Sequence, residues 1–396
     1  MIMTIQCDTN YRDPNSYNER EEIYMRAITQ KLLKKENRIV KQSLCVLFLA
    51  ILAVAGCSSK SGQSSGNASQ TIRLTGAGST FVYPIMSQWE NQFQIAHPAV
   101  QINYQSIGSG GGIQQVKAGL VDFGASDAAL DDKQLASMQP MIQIPESAGP
   151  VCITYNLPEL KQPLRLTAAA LSGIYLGTIK NWRDPAIAHS NPGVTLPNKT
   201  IIVVHRSEGS GTTNIFTTYL STVNPTWAKN VGKGIAVNWP APGTLGGKGS
   251  EGVTGIVKQS EGSIGYVELN YATNNHLPVA MIENKAGKWV TPTSAGATAA
   301  IAAFTDALAK DVRTPIVDPP ASAPDAYPIS GFTFLLIPKD GANKATREAL
   351  KAFVQFIITT GQDQADSLDY SKLPDSVVQL DGTLLNQMTA AGQPLQ

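Results

Sequence analysis

One segment of the chain places an arginine, a carboxylate and several small polar residues at a predicted helix start. The segment 206–212 reads RSEGSGT and lies between the apolar run Ile201–Val204 and the helix-like stretch Thr213–Val223. Unpaired N–H groups and the positive dipole end of a helix favour an anion at such a turn. The planar guanidinium of Arg206 matches the edge of an oxyanion. The segment indicates an oxyanion site, although a Gly-rich turn before a helix is more often only a tight turn.

A similar segment, GAGSTF at 76–81, lies far upstream. It follows the short predicted strand Ile72–Leu74 and precedes a predicted helix in which Ile85, Trp89 and Phe93 recur every four residues. The pattern is again strand, Gly/Ser/Thr turn, helix. Taken alone, it predicts a turn with a helix cap.

A third segment of this kind is GSGGG at 108–112. It lies between the alternating strand Val100–Ser106 and a predicted helix that carries Ile113, Val116 and Leu120. Three such units in one chain favour several helix N-termini that converge on one small anion.

The elements around these turns predict the fold class. Strands and helices alternate through the chain after its N-terminal region, with Gly and Pro turns between them. This order predicts an α/β fold with largely parallel sheets. The 31 Lys and Arg residues nearly balance the 30 Asp and Glu residues, so the chain has no basic field for nucleic acid or an anionic membrane.

The N-terminal region resembles an export signal. Basic residues between 31 and 41 precede the apolar run Leu44–Gly56, which is too short to span a bilayer comfortably but suits a signal-peptide core. The sequence VAGC at 54–57 resembles the lipobox of bacterial lipoproteins, in which the cysteine is lipidated. We therefore predict an N-terminal extension and lipoprotein signal peptide over 1–56, with lipidated Cys57 and a Ser/Gly-rich tether over 57–70. The alternative is a buried helix with an incidental cysteine.

Enzyme, metal and cofactor motifs are weak in this sequence. The G-x-S-x-G match at 62–66 lies in the Ser/Gly tether, and the lysine turn at 246–249 lacks the spacing of a P-loop. The four histidines are scattered singly and no C-x-x-C pair occurs, so we predict neither a metal site nor a cofactor. Cys152, in the run Val151–Tyr155, is predicted to be a buried core thiol.

Eight motifs occur in an order that is known from one family. They are TGAGSTF (75–81), YQSIGSGGGI (104–113), VDFGASDAAL (121–130), IYLGTIKNW (174–182), VVHRSEGSGTT (203–213), GGKGSEG (246–252), GSIGYVE (262–268) and LDYSKLPDSVV (368–378). With these motifs the chain resembles the phosphate-binding proteins of bacterial high-affinity phosphate ABC importers, the PstS type. The resemblance covers about 71–378.

The resemblance implies a periplasmic-binding-protein architecture, in which two α/β domains enclose a central cleft and are joined by two hinge crossings. We place the crossings near Ala148 and Tyr327, so that domain I comprises 71–147 plus 328–390 and domain II comprises 149–326. The implied function is an extracytoplasmic, lipid-tethered receptor, monomeric before docking. It binds inorganic phosphate and delivers it to the permease and ATPase subunits of a phosphate ABC importer.

The resemblance also implies the residues that bind phosphate. Domain I supplies N–H and hydroxyl groups, domain II supplies a bidentate guanidinium with further N–H and hydroxyl groups, and one aspartate lies among them. In that order the residues are Thr80, Phe81 and Ser109, then Arg206, Ser210, Gly211 and Thr212, and finally Asp127. Closure of the domains on the anion completes its shell and excludes water.

Asp127 is the most diagnostic of these residues. Phosphate at neutral pH keeps at least one P–OH, which can donate to an ionised carboxylate, whereas sulfate has no such proton. The alternative from sequence alone is that Asp127 only caps the turn 126–128. Glu208 stands where the family has aspartate, so its pairing with Arg206 is less firmly predicted. His205 is interpreted as a flanking residue and not a ligand.

Two other functions stay open at this point. One is a receptor for another tetrahedral oxyanion, sulfate or arsenate, against which Asp127 argues. The other is a phosphatase-like hydrolase on the same scaffold, although a phosphatase normally needs clustered metal ligands or a nucleophile beside a base. We predict a binding protein and not an enzyme.

Overall fold

The computed structural model of the protein describes residues 71–395. The predicted signal peptide, the lipobox cysteine Cys57 and the tether to residue 70 lie outside these residues. Across residues 71–395 no helix combines the length and the apolar character that a membrane crossing requires.

Within the described residues the strands form one large sheet and two small ones. The strands are β1 (Ile72–Gly78), β2 (Val100–Ser106), β3 (Phe123–Ser126), β4 (Met141–Tyr155), β5 (Arg165–Leu166), β6 (Ile202–Arg206), β7 (Leu245–Gly247), β8 (Ser263–Glu268), β9 (Met281–Glu283), β10 (Trp289–Val290), β11 (Ser330–Pro338), β12 (Thr389–Ala390) and β13 (Gln393–Pro394). The large sheet has the order β2-β1-β3-β11-β4-β8-β6-β7, and the small sheets are β10-β9-β5 and β12-β13.

Helices connect most of these strands. They are α1 (Tyr83–Ala96), α2 (Ser109–Lys117), α3 (Asp132–Ala136), α4 (Ala168–Tyr175), α5 (Pro185–Ala188), α6 (Gly211–Val223), α7 (Pro225–Asn230), α8 (Gly249–Gln259), α9 (Leu269–Asn274), α10 (Ser294–Ala302), α11 (Thr305–Leu308), α12 (Lys344–Ile358) and α13 (Asp375–Leu385). Two short 3₁₀ turns, Thr360–Gln364 and Asp366–Leu368, follow α12. The alternation of strands and helices confirms the predicted α/β class.

The large sheet is parallel at both ends and antiparallel in the middle. β1 is parallel to β2 and β3, and β6 is parallel to β7 and β8. β11 is antiparallel to β3 and β4, and β4 is antiparallel to β8. The prediction of largely parallel sheets is therefore wrong for the centre. Parallel neighbours need a crossover connection. β4 carries the chain from the first group of strands to the second, and β11 carries it back in the opposite direction beside β4, so these two strands are antiparallel.

β4 connects the two groups of strands. Its residues 141–150 pair with β11, and its residues 151–155 pair with β8. The whole strand after Met141 is buried, which is typical of a strand covered on both faces. Cys152 is a free, buried cysteine on this strand, as predicted, and burial raises the pKa of its thiol well above the usual value.

Most predicted elements near the Gly-rich turns are present, with shifted ends. β2 has the predicted bounds, and the α1 residues Ile85, Trp89 and Phe93 are buried in the core as the four-residue spacing predicts. β1 extends four residues further than predicted, through Gly78, because its glycines also pair with β2 and β3. Leu120 lies after the end of α2 and is 72% exposed, so its assignment to the apolar face of that helix is wrong.

The apolar stripe of α13 contains an aspartate. The buried residues of the helix are Val377, Asp381 and Leu385, which lie on one face at four-residue spacing. Neither carboxylate oxygen of Asp381 has a hydrogen-bond partner within residues 71–395. Burial raises the pKa of Asp381 from 3.8 to about 8. The folded protein therefore holds a proton there that the unfolded chain releases at lower pH.

We expect Asp381→Asn to stabilise the protein at alkaline pH. A carboxyl group whose pKa is higher in the folded state lowers stability as the pH rises from its unfolded pKa to its folded pKa. At about pH 8 the variant should gain on the order of a few kcal/mol in the free energy of unfolding, and near pH 4 it should gain little. Urea titrations at both pH values measure this. Asp375→Asn, an exposed site on the same helix, is the control, and an equal gain at both pH values would contradict the expectation.

Candidate oxyanion site

Small polar and charged side chains from five segments of the chain meet in one buried cluster. Each segment lies at or just after the end of a strand of the large sheet. β1, β2 and β3 run in the opposite direction to β6 and β7, so the ends of these two groups of strands face each other near the point where β4 changes partner. None of the eight residues is more than 5% exposed. We call this set the polar cluster: Ser79, Thr80, Ser109, Asp127, Arg206, Ser210, Thr212 and Ser250.

Ser79 organises the loop after β1. Its hydroxyl oxygen accepts the N–H of Phe81 at 3.0 Å and that of Val82 at 3.4 Å, and its hydrogen is donated to Asp127. The sequence analysis assigned Thr80 and Phe81 but missed Ser79. Its signal was present, because serine hydroxyls commonly bond to N–H groups two or three residues ahead at such turns.

Asp127 is bonded to both sides of the cluster. One carboxylate oxygen accepts from Ser79, and the other accepts from the Thr212 hydroxyl at 3.2 Å. The Asp127 N–H donates to the Ser109 hydroxyl at 3.3 Å. Burial raises the pKa of Asp127 from 3.8 to about 6, against the lowering effects of the Ser79 hydrogen bond and the charge of Arg206. Burial therefore disfavours the ionised form of Asp127, but the carboxylate is still mostly ionised at neutral pH.

The turn at 126–128 is bonded by Ser126. Its hydroxyl donates to the Ala128 carbonyl at 2.7 Å and accepts the Ala128 N–H at 3.1 Å. The Asp127 side chain is directed into the polar cluster instead. Gly211 packs directly against it, because a Cβ on Gly211 would lie 2.5 Å from the Asp127 nitrogen. The geometry thus favours a site role for Asp127 over a turn-capping role.

Arg206 ends β6 and is buried in the cluster. Its Nε donates to Glu208 Oε1 at 2.7 Å, and its Nη2 bonds to the same oxygen. Its Nη1 lies 3.4 Å from both the Thr212 and the Ser250 hydroxyl oxygens. One edge of the guanidinium is therefore fixed by Glu208, and the other faces the hydroxyl groups.

Glu208 pairs with Arg206, although its side chain is longer than that of the aspartate found in the family. The Glu208 Oε1 atom also accepts the N–H of Gly249 at 3.1 Å, which joins the pair to the start of α8. Its second oxygen, Oε2, is buried without a hydrogen-bond partner in the described part of the chain. The glutamate is thus an orienting partner of the guanidinium.

The start of α6 lies in the polar cluster. The Ser210 hydroxyl caps the helix by accepting the Thr213 N–H at 3.1 Å. The Ser210 N–H, however, donates to the Ile235 carbonyl at 2.8 Å, so only its hydroxyl hydrogen remains for an anion.

Ser250 belongs to a fourth strand–turn–helix unit that the sequence analysis missed. β7 is followed by Lys248 and by Gly249, whose φ is +69°, and α8 begins there. The Ser250 hydroxyl lies 3.0 Å from the Thr80 hydroxyl, and the Ser250 N–H donates to the Thr80 oxygen at 3.2 Å. The motif GGKGSEG was one of the eight that carry the family resemblance, but its order of strand, Gly-rich turn and helix, the same as in the other three units, was not recognised.

His205 is held outside the cluster. Its ring nitrogens lie 2.8 Å from the Arg206 carbonyl oxygen and 3.2 Å from the Thr244 hydroxyl oxygen. The ring stacks on Trp239 at 5.1 Å between centroids. These contacts agree with its interpretation as a flanking residue.

The chemistry of the cluster is that of an oxyanion site. It combines one guanidinium, several hydroxyl groups and the starts of three helices with a single carboxylate. The donors stabilise negative charge, and the carboxylate can accept one hydrogen from the same guest. Within residues 71–395, no group of three or more His, Cys, Asp or Glu residues could hold a metal ion.

Comparisons of the sequence with known proteins identify its family. A family model described as a PBP superfamily domain matches residues 64–360. The phosphate-binding protein PstS of Xylella fastidiosa (strain Temecula1) is 42% identical over 315 residues, which cover 79% of this chain and 85% of that protein. This chain belongs to the PstS family. The family also includes the phosphate-binding protein PstS of Methanocaldococcus jannaschii, 37% identical over 369 residues, which cover 87% of this chain and 94% of that protein.

Solved structures confirm the predicted periplasmic-binding-protein fold. A phosphate-binding protein from Stenotrophomonas maltophilia has a TM-score of 0.61 at 20% identity, covering 78% of this chain and 92% of its own. A periplasmic phosphate-binding protein, PfluDING, solved with bound phosphate has a TM-score of 0.63 at 21% identity, covering 81% and 100%. The resemblance to the PstS family that the motifs indicated is confirmed.

Proposed function

We propose that the protein is an extracytoplasmic receptor that binds inorganic phosphate in the polar cluster and delivers it to the permease and ATPase subunits of a phosphate ABC importer. The observation that carries this proposal is the burial of Arg206 and Asp127 in one cluster, within a family of phosphate-binding proteins. The arginine neutralises the anion and the aspartate accepts its P–OH. The two requirements together describe partly protonated phosphate.

The remaining ligands are hydroxyl and N–H groups on both sides of the anion. The first side is the loop after β1 and the start of α2, and the second is the start of α6. In chain order these proposed ligands are Thr80, Phe81, Ser109, Ser210, Gly211 and Thr212. Ser79 and Ser250 join them as residues that bond to the ligands themselves.

The proposed site lies between two domains that close on the anion. Domain I comprises 71–147 plus 328–390, and domain II comprises 149–326. The change of partner of β4 between Pro150 and Val151 supports a crossing at this place. The Gly110 N–H donates to the Gly209 carbonyl at 2.8 Å, which is a contact between the two proposed domains beside the cluster. Separation of these segments opens a route for the anion.

The side chains of the polar cluster favour a binding role over a catalytic one. Both ring nitrogens of His205 are engaged elsewhere, and the hydroxyl groups of the cluster bond to Asp127, Arg206 and main-chain N–H groups. An activated nucleophile needs a base within hydrogen-bond reach that is oriented by a third group. Asp127 accepts hydrogen bonds from the Ser79 and Thr212 hydroxyl groups, and the charge of Arg206 favours its ionised form, which suits recognition of a P–OH group.

Calorimetry with phosphate, arsenate and sulfate tests the proposed function. Phosphate and arsenate both carry an O–H at neutral pH and should bind, whereas sulfate should bind far more weakly. Tighter binding of sulfate than of phosphate would reject the assignment. Release of a chromogenic leaving group from a phosphomonoester, lost in Arg206→Ala, would instead identify a hydrolase.

We expect Cys57→Ala to abolish membrane tethering and to leave phosphate affinity unchanged. The proposal rests on the sequence VAGC at 54–57 and the Ser/Gly-rich residues after it. Without its thiol the chain cannot be lipidated and should remain an uncleaved or soluble precursor. Metabolic labelling with a lipid precursor measures this directly. Equal labelling of the wild type and the variant would contradict it.

A further inference from the structure

Three tyrosine hydroxyls bond to three successive carbonyl groups behind the loop that follows β1. All three side chains are buried, and they come from β2, from α9 and from the segment after α12. We call Tyr104, Tyr271 and Tyr370 the tyrosine triad. Tyr104 donates to the Ser79 carbonyl at 2.8 Å, Tyr271 to the Thr80 carbonyl at 2.7 Å and Tyr370 to the Phe81 carbonyl at 2.5 Å.

Because the peptide group is planar, a hydrogen bond that fixes a carbonyl group also fixes the direction of the N–H group of the next residue. In a trans peptide the carbonyl of one residue and the N–H of the next point in opposite directions. A hydroxyl that holds the Thr80 carbonyl on one side therefore turns the Phe81 N–H to the other side. In the structure this N–H is directed at the Ser79 hydroxyl, 3.0 Å away in the polar cluster. Tyr104 acts in the same way on the Thr80 N–H.

Tyr271 differs from its two partners in its place in the fold. Tyr104 lies on β2, beside β1, and Tyr370 lies in the C-terminal segment, so both belong to proposed domain I. Tyr271 lies on α9, which follows β8, and β8 pairs with the strand that carries Arg206. The Tyr271 hydroxyl thus reaches the loop from the opposite domain.

We propose that Tyr271 is a positioning residue for phosphate: from the Arg206 side of the cleft it holds the Thr80 carbonyl and so keeps the Phe81 N–H, bonded to the Ser79 hydroxyl, directed into the polar cluster when the domains are together. This inference rests on the proposed function. When the domains separate, water replaces the phenol at the Thr80 carbonyl, and the peptide is free to turn. Tyr271 therefore stabilises the closed, phosphate-bound state and does not contribute to the open one.

The variant Tyr271→Phe tests this role, since it removes only the hydroxyl. A buried carbonyl left without its donor should weaken phosphate binding roughly tenfold to a hundredfold. Because the bond exists only in the closed state, we expect the dissociation rate, measured by stopped flow, to rise by about the same factor. The melting temperature without phosphate should stay near that of the wild type. A purely structural role would lower that temperature and leave the dissociation rate unchanged.

Tyr155→Phe is the control. The Tyr155 side chain is also buried, and its hydroxyl bonds to a main-chain group away from the loop, accepting the Leu164 N–H at 3.0 Å. It should leave phosphate dissociation within about twofold of the wild type. The inference is overturned if Tyr271→Phe also stays within twofold, or if the two variants lose affinity equally. Wild-type protein that binds no phosphate would reject the proposed function itself.

The Tyr271 hydroxyl has two acceptors within reach, the Thr80 carbonyl and the Glu251 carboxylate, and a second variant distinguishes their effects. Glu251 Oε1 lies 2.9 Å from this hydroxyl, which has one hydrogen to donate. Glu251→Gln can donate to the phenol oxygen and leaves the phenol hydrogen to the Thr80 carbonyl. Its phosphate affinity should equal or exceed that of the wild type. A loss as large as that of Tyr271→Phe would assign the effect to the Tyr271–Glu251 bond and overturn the inference.

Discussion

Arg206→Ala should weaken phosphate binding by roughly two to three orders of magnitude. Removal of one member of a buried, hydrogen-bonded charge pair typically costs about 2 to 5 kcal/mol, partly because the other charge is left unpaired. Here Arg206 is only 5% exposed, and both Asp127 and Glu208 lose their cation when it is removed. Calorimetry with phosphate measures the loss.

Arg165→Ala is the control for Arg206→Ala. Arg165 carries the same charge but lies on β5, with its guanidinium over the Trp289 ring at 5.8 Å. The substitution should change phosphate affinity by less than about twofold, because screened charges outside the site contribute little. If both variants lose affinity to a similar extent, the overall charge of the protein and not the polar cluster attracts phosphate.

Asp127→Asn should admit sulfate while it keeps appreciable phosphate binding. A site built to hydrogen-bond a particular group rejects analogues that lack it by about four to five orders of magnitude in favourable cases, since its own polar group is left unpaired. The amide of asparagine can accept from P–OH or, when turned over, donate to a bare oxygen. Calorimetry with both anions measures the ratio. Unchanged exclusion of sulfate together with intact phosphate binding would reduce Asp127 to a structural residue.

We expect the wild-type protein to discriminate less strongly between phosphate and sulfate at acid pH. Burial raises the pKa of Asp127 to about 6, so its carboxylate takes up a proton as the pH falls through this value. A protonated Asp127 can donate to a sulfate oxygen, and sulfate itself does not titrate in this range. Sulfate affinity should therefore rise below about pH 6 in the wild type and stay flat in Asp127→Asn.

The structure brings the proposed phosphate ligands close together, through contacts that the sequence did not predict. Arg206, Asp127, Thr80 and Ser109 lie together because each lies at or just after the end of a strand, and the two groups of strands run toward each other from opposite sides of the site. Short strand–turn–helix motifs of Gly, Ser and Thr predicted an oxyanion site locally, and the individual residues came from the resemblance to the PstS family.

What the sequence could not supply depends on long-range packing. Ser250 is 170 residues away from its partner Thr80, and the strands before them, β7 and β1, lie far apart in the order of the large sheet. The end of α2 before Leu120 is likewise set by the turn into β3 and not by the apolar spacing. The antiparallel centre of the sheet follows from the return of β11 beside β4, which no local pattern specifies.

The position of β11 has a consequence for the order in which the protein can fold. β11 pairs with β3 and β4 at the centre of the large sheet, yet it is the last of the eight strands to be synthesised. Until residues 330–338 arrive, β3 and β4 each present an open edge, and closing contacts across some two hundred residues costs loop entropy. Contacts of such high sequence separation make folding slow. The edges of β3 and β4 therefore stay unpaired during synthesis until the last fifth of the chain has been made.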